Sequence, residues 1–363
     1  MTTTVNNKSE VVQSGTTISI DAMGGDLGPA AIVAGIVRVA QKNKRIHFLL
    51  HGQEVQLRKL VAKRQSLKGR VTIIDSVEVI KMEDKPSHVV RHGKATSMWS
   101  AIDSVRDGDA SVCVSCGNTG ALMAISMVRL RKLNGVNRPA IAILWPSSNP
   151  MGFNVMLDVG ADVRADPKDL LQYALMGVSY ARNGLGIAKP RVGLLNVGTE
   201  EHKGRSELKE AYSKIEHCQL EANFVFEGFV EGGDIPGSKV DVIVTDGFTG
   251  NVALKTAEGT ASLIGYLLRE AFRFSPLSKL ASILAFTSLN RFKIRIDPRR
   301  VNGGVFLGLN GTVVKSHGSA DATGIEAAIK LAFELSNNDF LQKVAARVAY
   351  AGAMDNDVYD DAN

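Results

Sequence analysis

The sequence predicts an α/β protein, a two-lobed αβα layered unit on a largely parallel sheet. Three observations lead there. Short apolar runs rich in Val and Ile alternate with longer helical patterns. The runs are almost continuously apolar, which calls for burial on both faces, under helices. Five strand-to-helix junctions repeat one layout of apolar run, small or polar turn, then helix. Strands are expected over residues 17–21, 46–51, 71–74, 110–115, 140–144, 153–158, 191–196, 241–245 and 312–316. The intervening helices are expected over 29–41, 53–64, 96–106, 119–133, 167–182, 250–274, 276–289 and 321–336. Pro29 and Pro276 suit first helical positions, and Ser275-Pro276 marks a break between two long helices. The length of 363 residues suggests two domains. No Pro/Gly/Ser-rich linker divides the chain, however, so residues 17–353 are expected to form one two-lobed unit. Residues 1–16 and the acidic stretch 354–363 are expected to be loose tails.

Composition excludes several classes. With 45% hydrophobic and 22% charged residues the chain is globular rather than disordered. No run approaches the roughly 18 apolar residues of a spanning helix. The first seventeen residues are polar with Lys8 as their one basic residue, unlike a secretory signal. Three cysteines form no disulfide framework, which points to a reducing compartment. The net charge of +6 is uneven. Residues 36–70 carry ten basic residues against Glu54, and residues 268–300 carry eight against Glu270 and Asp297, so the remainder is acidic. Two basic regions suit an anionic partner or surface. Nucleic acid is disfavoured, because no recognition motif or interleaved aromatics accompany the charge.

The motifs narrow the chemistry. There is no G-x-G-x-x-G, P-loop, H-E-x-x-H or G-x-S-x-G. Cys113 and Cys116 are three apart around a strand end and face opposite sides, poor for pairing or chelation. The histidines lack ligand spacings, so no metal or cofactor is expected; His317 alone is kept as a site candidate. Of the 35 glycines, nine fall in the five junctions, ISIDAMGGD (18–26), VSCGNTGA (114–121), LLNVGTEEHKG (194–204), VTDGFTGN (244–251) and VVKSHGSAD (313–321). At strand carboxyl ends such loops bring backbone amides and helix N-termini to an anion. All five are expected to face one crevice. The candidate binding residues are Asp21, Gly24, Gly25, Asn118, Thr119, Asp158, Asn196, Gly198, Thr199, Asp246, Thr249, Gly250 and His317. Of these, Asp21, Asp158 and Asp246 are expected to order loops rather than act as bases.

These loops closely resemble the acyl-carrier-protein:phosphate acyltransferase family of bacterial phospholipid synthesis. The motifs are DAMGGD (21–26), GNTGAL (117–122), LDVGA (157–161), PRVGLLNVGTE (190–200), VTDGFTGNVALKT (244–256) and HGS (317–319), in order along nearly the whole chain. One departure is Leu27-Gly28, where His-Ala is frequent in the family; the N-terminal extension is another. The resemblance implies an isocitrate dehydrogenase- or phosphotransacetylase-like fold and a homodimer. It implies long-chain acyl transfer from acyl carrier protein to inorganic phosphate, with no cofactor. The acyl phosphate would pass to a membrane-bound glycerol-phosphate acyltransferase, the protein being cytoplasmic and peripherally bound to the membrane. It further implies that Lys203 and Asn251 are catalytic. Phosphate already carries an anionic oxygen, so the site must place it and stabilise the thioester oxyanion rather than supply a nucleophile. Amides near Gly198, Thr199 and Gly250 suit the phosphate, and Lys203 and Asn251 suit the oxyanion or bridge both substrates. Beyond Pro276, Leu277, Leu280, Ile283, Leu284, Phe286 and Leu289 make a segment apolar around its axis with basic flanks. It suits a core or dimer-interface helix, or a tip that meets an anionic membrane or the acyl chain. A short-chain phosphotransacetylase, a dehydrogenase on the same fold and a non-enzymatic scaffold are the competing classes. The GNTGAL and DGFTGN loops argue against the first two, and intact Lys203 and Asn251 motifs against the third.

Overall fold

A computed structural model describes residues 15–296, 303–336 and 342–346. The expected acidic tail, nearly all of the N-terminal tail and the end of the second basic region lie outside them. The strands, in chain order, are β1 Thr16–Asp21, β2 Ile46–Gly52, β3 Val71–Asp75, β4 Val112–Ser115, β5 Ala140–Pro146, β6 Phe153–Leu157, β7 Arg191–Leu195, β8 Val225–Val230, β9 Val242–Val244, β10 Gly304–Leu307 and β11 Thr312–Lys315. They form one sheet in the order β3-β2-β1-β4-β11-β10-β5-β6-β9-β7-β8. The helices that matter here are α1 Gly28–Lys42, α2 Glu54–Ala62, α3 Pro86–His92, α4 Ser97–Arg106, α5 Thr119–Arg129, α6 Pro167–Leu185, α7 Ser206–Cys218, α8 Gly247–Arg273, α9 Pro276–Leu284, α10 Phe286–Ile296 and α11 Ala322–Ser336.

The α/β class and the mostly parallel sheet are as expected. Four elements were not. β8 is an edge strand whose apolar run is interrupted by Glu227 and by Gly228 at φ 75°. β10 is only four residues long. α7 is polar, with a single buried stripe of Leu208, Ala211, Ile215 and Cys218, and α3 spans seven residues. The helix expected over 276–289 is two helices, α9 and α10, and α5 stops at Arg129, ahead of Arg131 at φ 64°.

The sheet has one feature the residues did not announce. β3, β2, β1, β4 and β11 are parallel to one another, and so are β6, β9, β7 and β8. Between them β10 is antiparallel to both β11 and β5, and β5 is antiparallel to β6. Three reversals leave the two parallel blocks running in opposite directions. Loops after β1, β4 and β11 therefore leave in one direction and loops after β6, β7 and β9 in the other. The blocks are staggered, however: through Val314–Val305–Ala142 and the neighbouring pair Ile143–Met156, the ends of β11 and β6 fall at nearly the same level. Of the five junctions expected to face one crevice, those after β4, β9 and β11 reach a common cavity, through Thr119, Asn251 and Lys315–His317. Among the described residues, those after β1 and β7 supply no lining residue.

Each face of the sheet carries its own core. Ile18, Ile20, Val155, Leu157, Val242 and Val244 point to one side with α1, α6 and α11. Cys113, Val313, Ile141, Met156 and Ile243, alternating with them, point to the other with α4 and α5. α6 is buried from Asp169 to Ala181. It lies so close to the sheet that a Cβ at Gly177 would come 2.6 Å from Val242 Cγ1. α8 differs: only Gly247 and Gly250 are buried, and the helix leaves the body behind its first turns. Leu263 and Leu267 on α8, Phe274 just after it, and Leu277, Ile283 and Leu284 on α9 are exposed. Among the described residues no helix is long and apolar enough to cross a membrane.

Candidate functional site

A cavity of about 350 Å³ lies on the second face of the sheet, between the two groups of loops. Its floor is β5, through Ile141, Ile143 and Trp145. Gly303 and Gly304 keep this floor open, since a Cβ at Gly304 would come 2.9 Å from Ile141 Cγ2. Its roof is α8, through Asn251, Leu254, Lys255, Ala257, Glu258 and Ala261, a stripe at helical spacing. Its polar wall comes from the first block: Thr119 at the start of α5, then Lys315, Ser316 and His317 at the end of β11. α8 thus covers the row along which the strand ends of the two blocks meet.

The wall is cationic. Lys315 is buried, its Nζ donating to the carbonyls of Ser316 and Cys116, the latter at 3.4 Å. Burial pushes its pKa down to about 8. His317 Nε2 stands 3.5 Å from Lys255 Nζ and 3.8 Å from Glu258 Oε1, while Nδ1 meets Ser319 Oγ at 2.8 Å. Lys255 pairs with Glu258 at 2.9 Å. His317 first, then Lys255, hold the Glu258 carboxyl down at about 2 against its burial. The α5 N-terminus adds its partial positive charge at Thr119. Two lysines, a histidine and a helix N-terminus against one carboxylate suit an anion; the floor and the Leu254, Ala257 and Ala261 half of the roof suit a hydrocarbon.

Of the expected site residues, Thr119, Asn251 and His317 line this cavity. Asn251 Nδ2 donates to Val159 O at 3.1 Å, which anchors α8 over the β6 loop. A Cβ at Gly250 would stand 2.0 Å from Asp158 O, so only glycine admits the first turn of α8 this close. Thr249 N–H donates to Asp246, the N-cap of α8.

The three carboxylates hold loops, as expected. Asp21 accepts from Ser97 Oγ at 2.6 Å and Ser115 Oγ at 2.7 Å. Burial raises its pKa against those bonds. Gly24 and Gly25 lie beside it: a Cβ on Gly24 would meet Asp21 Oδ2 at 2.6 Å, and Gly25 has φ 93°. Asp158 accepts from the N–H groups of Ile141, Gly160, Ala161 and Asp162, and burial again raises its pKa. For Asp246 burial is outweighed by Thr249 N–H and Arg205, which bring its carboxyl below the usual range. Asn118 is spent as the N-cap of α5 and as a donor to Met82 O and Asp84 O.

Lys203 stands apart from the cavity. Asn196 Nδ2 donates to Lys203 O at 3.2 Å. The adjoining Gly204 has φ 86° and is so tight that a Cβ would reach 2.1 Å from Asn196 Oδ1. The Lys203 stem runs over Gly198, where a Cβ would meet its Cδ at 2.4 Å. Its Nζ then pairs with Glu200 at 2.7 Å, which raises its pKa. Thr199 beside it is exposed. Arg205, two residues on, pairs with Asp246 and so ties this loop to the start of α8.

Residue-level reading missed Lys315, Lys255 and Glu258. A signal existed for each. Lys315 ends the otherwise apolar strand TVVK, where a buried cation is unusual, and Lys255 and Glu258 follow Asn251 at i+4 and i+7 on one helix face. Among the described residues no three His, Cys, Asp or Glu are grouped to hold a metal ion.

The fold is that of the phosphotransacetylases. A phosphotransacetylase from Streptococcus pyogenes superposes with a TM-score of 0.57 at 18% identity, covering 90% of this chain and 95% of its own. A branched-chain phosphotransacylase from Enterococcus faecalis gives 0.52 at 13%, covering 88% and 98%. The sequence is more specific. The model of the family described as fatty acid synthesis protein matches residues 16–343. A phosphate acyltransferase from Ruegeria pomeroyi is 68% identical over 94% of this chain and 92% of its own, and one from Dinoroseobacter shibae is 69% identical over 93% and 88%. The chain belongs to this family, the phosphate acyltransferases, and is an enzyme of that type.

Proposed function

We propose that the protein reversibly transfers a long-chain fatty acyl group from an acyl-carrier-protein thioester to inorganic phosphate, giving acyl phosphate for phosphatidic acid synthesis. The observation that carries this reading is the two-sided cavity, with a cationic wall for phosphate and an apolar floor, met by Leu254, Ala257 and Ala261 of the roof, for the acyl chain. Its setting is a family whose named members are phosphate acyltransferases.

Phosphate attacks the thioester carbonyl directly, without an acyl-enzyme. Bound phosphate oxygen is already anionic, so placement against the carbonyl supplies much of the acceleration. The cations of the wall neutralise it. Asn251, on the first turn of α8, turns its amide toward the carbonyl oxygen as negative charge develops there. Lys203, released from Glu200, reaches phosphate or bridges both substrates as the loop tied to Asp246 through Arg205 draws in. An acidic carrier protein docks on the basic surface of residues 36–70 or 268–300. The exposed apolar faces of α8 and α9, beside Arg269, Arg273 and Lys279, serve a homodimer and an anionic membrane surface. There the product passes to a membrane-bound glycerol-phosphate acyltransferase, which places the protein on the cytoplasmic side.

The test mixes the protein with palmitoyl-carrier protein and phosphate and traps acyl phosphate with hydroxylamine. Hydroxamate that requires phosphate is expected. Hydroxamate formed equally without phosphate, or with acetyl-CoA as the preferred donor, would overturn the reading.

A further inference from the structure

Among the cations of the wall, one is buried, and its setting suits more than neutralising phosphate. Lys315 is 9% exposed and stands at the end of β11, opposite Gly304. An ammonium has three donors. Among the described residues, those of Lys315 meet two carbonyl oxygens, of Cys116 and Ser316, and no carboxylate oxygen. A lysine held for structure alone would be expected to find a carboxylate, because leaving a buried charge unpaired costs several kcal/mol. Here Lys315 lines the cavity instead.

The charges around it are mixed. Asp21 and Asp26 from the β1 loop and the Cys116 thiol beyond β4 favour its protonated form, and Lys255 from α8 opposes it. Glu258 and His317 lie on the same cavity but are engaged with each other and with Lys255. Burial is the largest influence on Lys315 and brings it to about 8, close to a free thiol at about 8.5. Matched acidity of this kind lets a group give and recover a proton within one turnover.

We propose that Lys315 is the general acid that protonates the departing thiolate. This rests on the acyl-transfer reading above. A phosphate oxygen forms a bond to the thioester carbonyl carbon, and the carbonyl π pair moves to oxygen. As that pair re-forms the carbonyl, the C–S bond breaks and its electrons leave on sulfur. The sulfur takes a proton from the Lys315 ammonium. The neutral amine then takes the remaining proton of the transferred hydrogen phosphate. Thioester and hydrogen phosphate thus give thiol and acyl phosphate with no further reactant. In the reverse direction the same amine deprotonates the attacking thiol.

The test compares two donors on the full chain, palmitoyl-pantetheine and the palmitoyl thioester of 4-nitrothiophenol, whose thiolate leaves unprotonated. Lys315→Arg keeps the charge but holds its proton at any working pH. Lys315→Met removes both, and thermal melting shows whether each variant is folded; if Met unfolds the chain, Arg carries the test. With palmitoyl-pantetheine, kcat of Lys315→Arg is expected to fall about 10²- to 10⁴-fold, with phosphate KM changed little. With the nitrothiophenyl ester the loss is expected to stay within about threefold, since the acid is no longer needed. Wild-type kcat with palmitoyl-pantetheine should fall as pH rises through about 8, where Lys315 loses its proton, and the Arg variant should lack that fall. An equal loss on both donors, or a loss confined to phosphate KM, would make Lys315 a phosphate anchor and overturn the proposal. Wild-type protein that forms no phosphate-dependent product from either donor would instead overturn the acyl-transfer reading, and the proposal with it.

Discussion

The two groups of strand-end loops differ in what they do with their polar residues. Those of the first block turn inward. Asp21, His51, Ser97 and Ser115 are all buried, and Lys315 and His317 face the cavity. Those of the second block hold their own loops: Asp158, Asn196 and Asp246 are buried against backbone or Arg205, and the exposed Lys203 pairs with Glu200, away from the cavity. The second group reaches the cavity through Val159 after β6 and through α8, whose Asn251 lines it. The difference teaches that this site is assembled by a long helix laid across a sheet whose halves run in opposite directions. Docking of the first turn of α8 on the β6 loop is then the structural condition for this cavity.

The sharpest break of that comparison is at Gly250. Gly250→Ala would drive a Cβ into the Asp158 carbonyl. It is expected to cost about 4 kcal/mol or more, at the severe end for single substitutions. Two turns on, Gly259 has open space around it, and Gly259→Ala should stabilise by about 0.5–1 kcal/mol. Denaturant midpoints read both, and similar values for the two would mean that the start of α8 is not docked as described. Next in size is Asn251→Ala, expected to lower kcat about 10²- to 10³-fold with the fold retained. Activity near wild type would remove Asn251 from the site.

The buried group of the first block gives a pH signature. His51 Nε2 meets Ser19 Oγ at 3.0 Å and Nδ1 meets Ser100 Oγ at 2.8 Å, and burial pushes its pKa down to about 4. An unfolded histidine near 6.5 takes up its proton first, so stability falls as pH drops from about 6.5 to 4, by about 3 kcal/mol in all. Asp21, raised by burial, shifts the opposite way. The His51 contribution is therefore the difference in slope between wild type and His51→Gln, measured by urea unfolding across that window. In the second block Asp246 is lowered, so its contribution is present above the ordinary carboxylate range and is lost only below it. The smallest of these effects belongs to Lys203→Ala. It should lower activity about 10- to 100-fold through a lost charged contact. Melting temperature should hardly move, because Lys203 is exposed and its pair with Glu200 is worth little. A large loss of stability would make it a structural residue.

Much of the fold was legible locally. Val- and Ile-rich runs marked nine strands, and strand-end glycines marked the loops. Asn251, Thr119 and His317 were visible because their motifs sit at loop ends. Strand direction was not visible, because β10 is four residues long and the apolar run of β5 reads alike in either direction. Without those reversals the place where α8 crosses the sheet is hidden. Lys315, Lys255 and Glu258 become a group only through that long-range packing. Lys203 stood in a clear motif, yet its separation from the cavity depends on Gly198, Gly204 and Asn196 packing around its stem.

The central claim is that acyl chain and phosphate meet under α8. It is tested most directly by photolabelling with a palmitoyl-carrier protein whose chain carries a diazirine. Label is expected on residues 141–146 of β5 and 254–261 of α8, and phosphate-driven turnover should discharge the chain and reduce it. Label confined to α9 and α10, or to the loop around Lys203, would contradict the account.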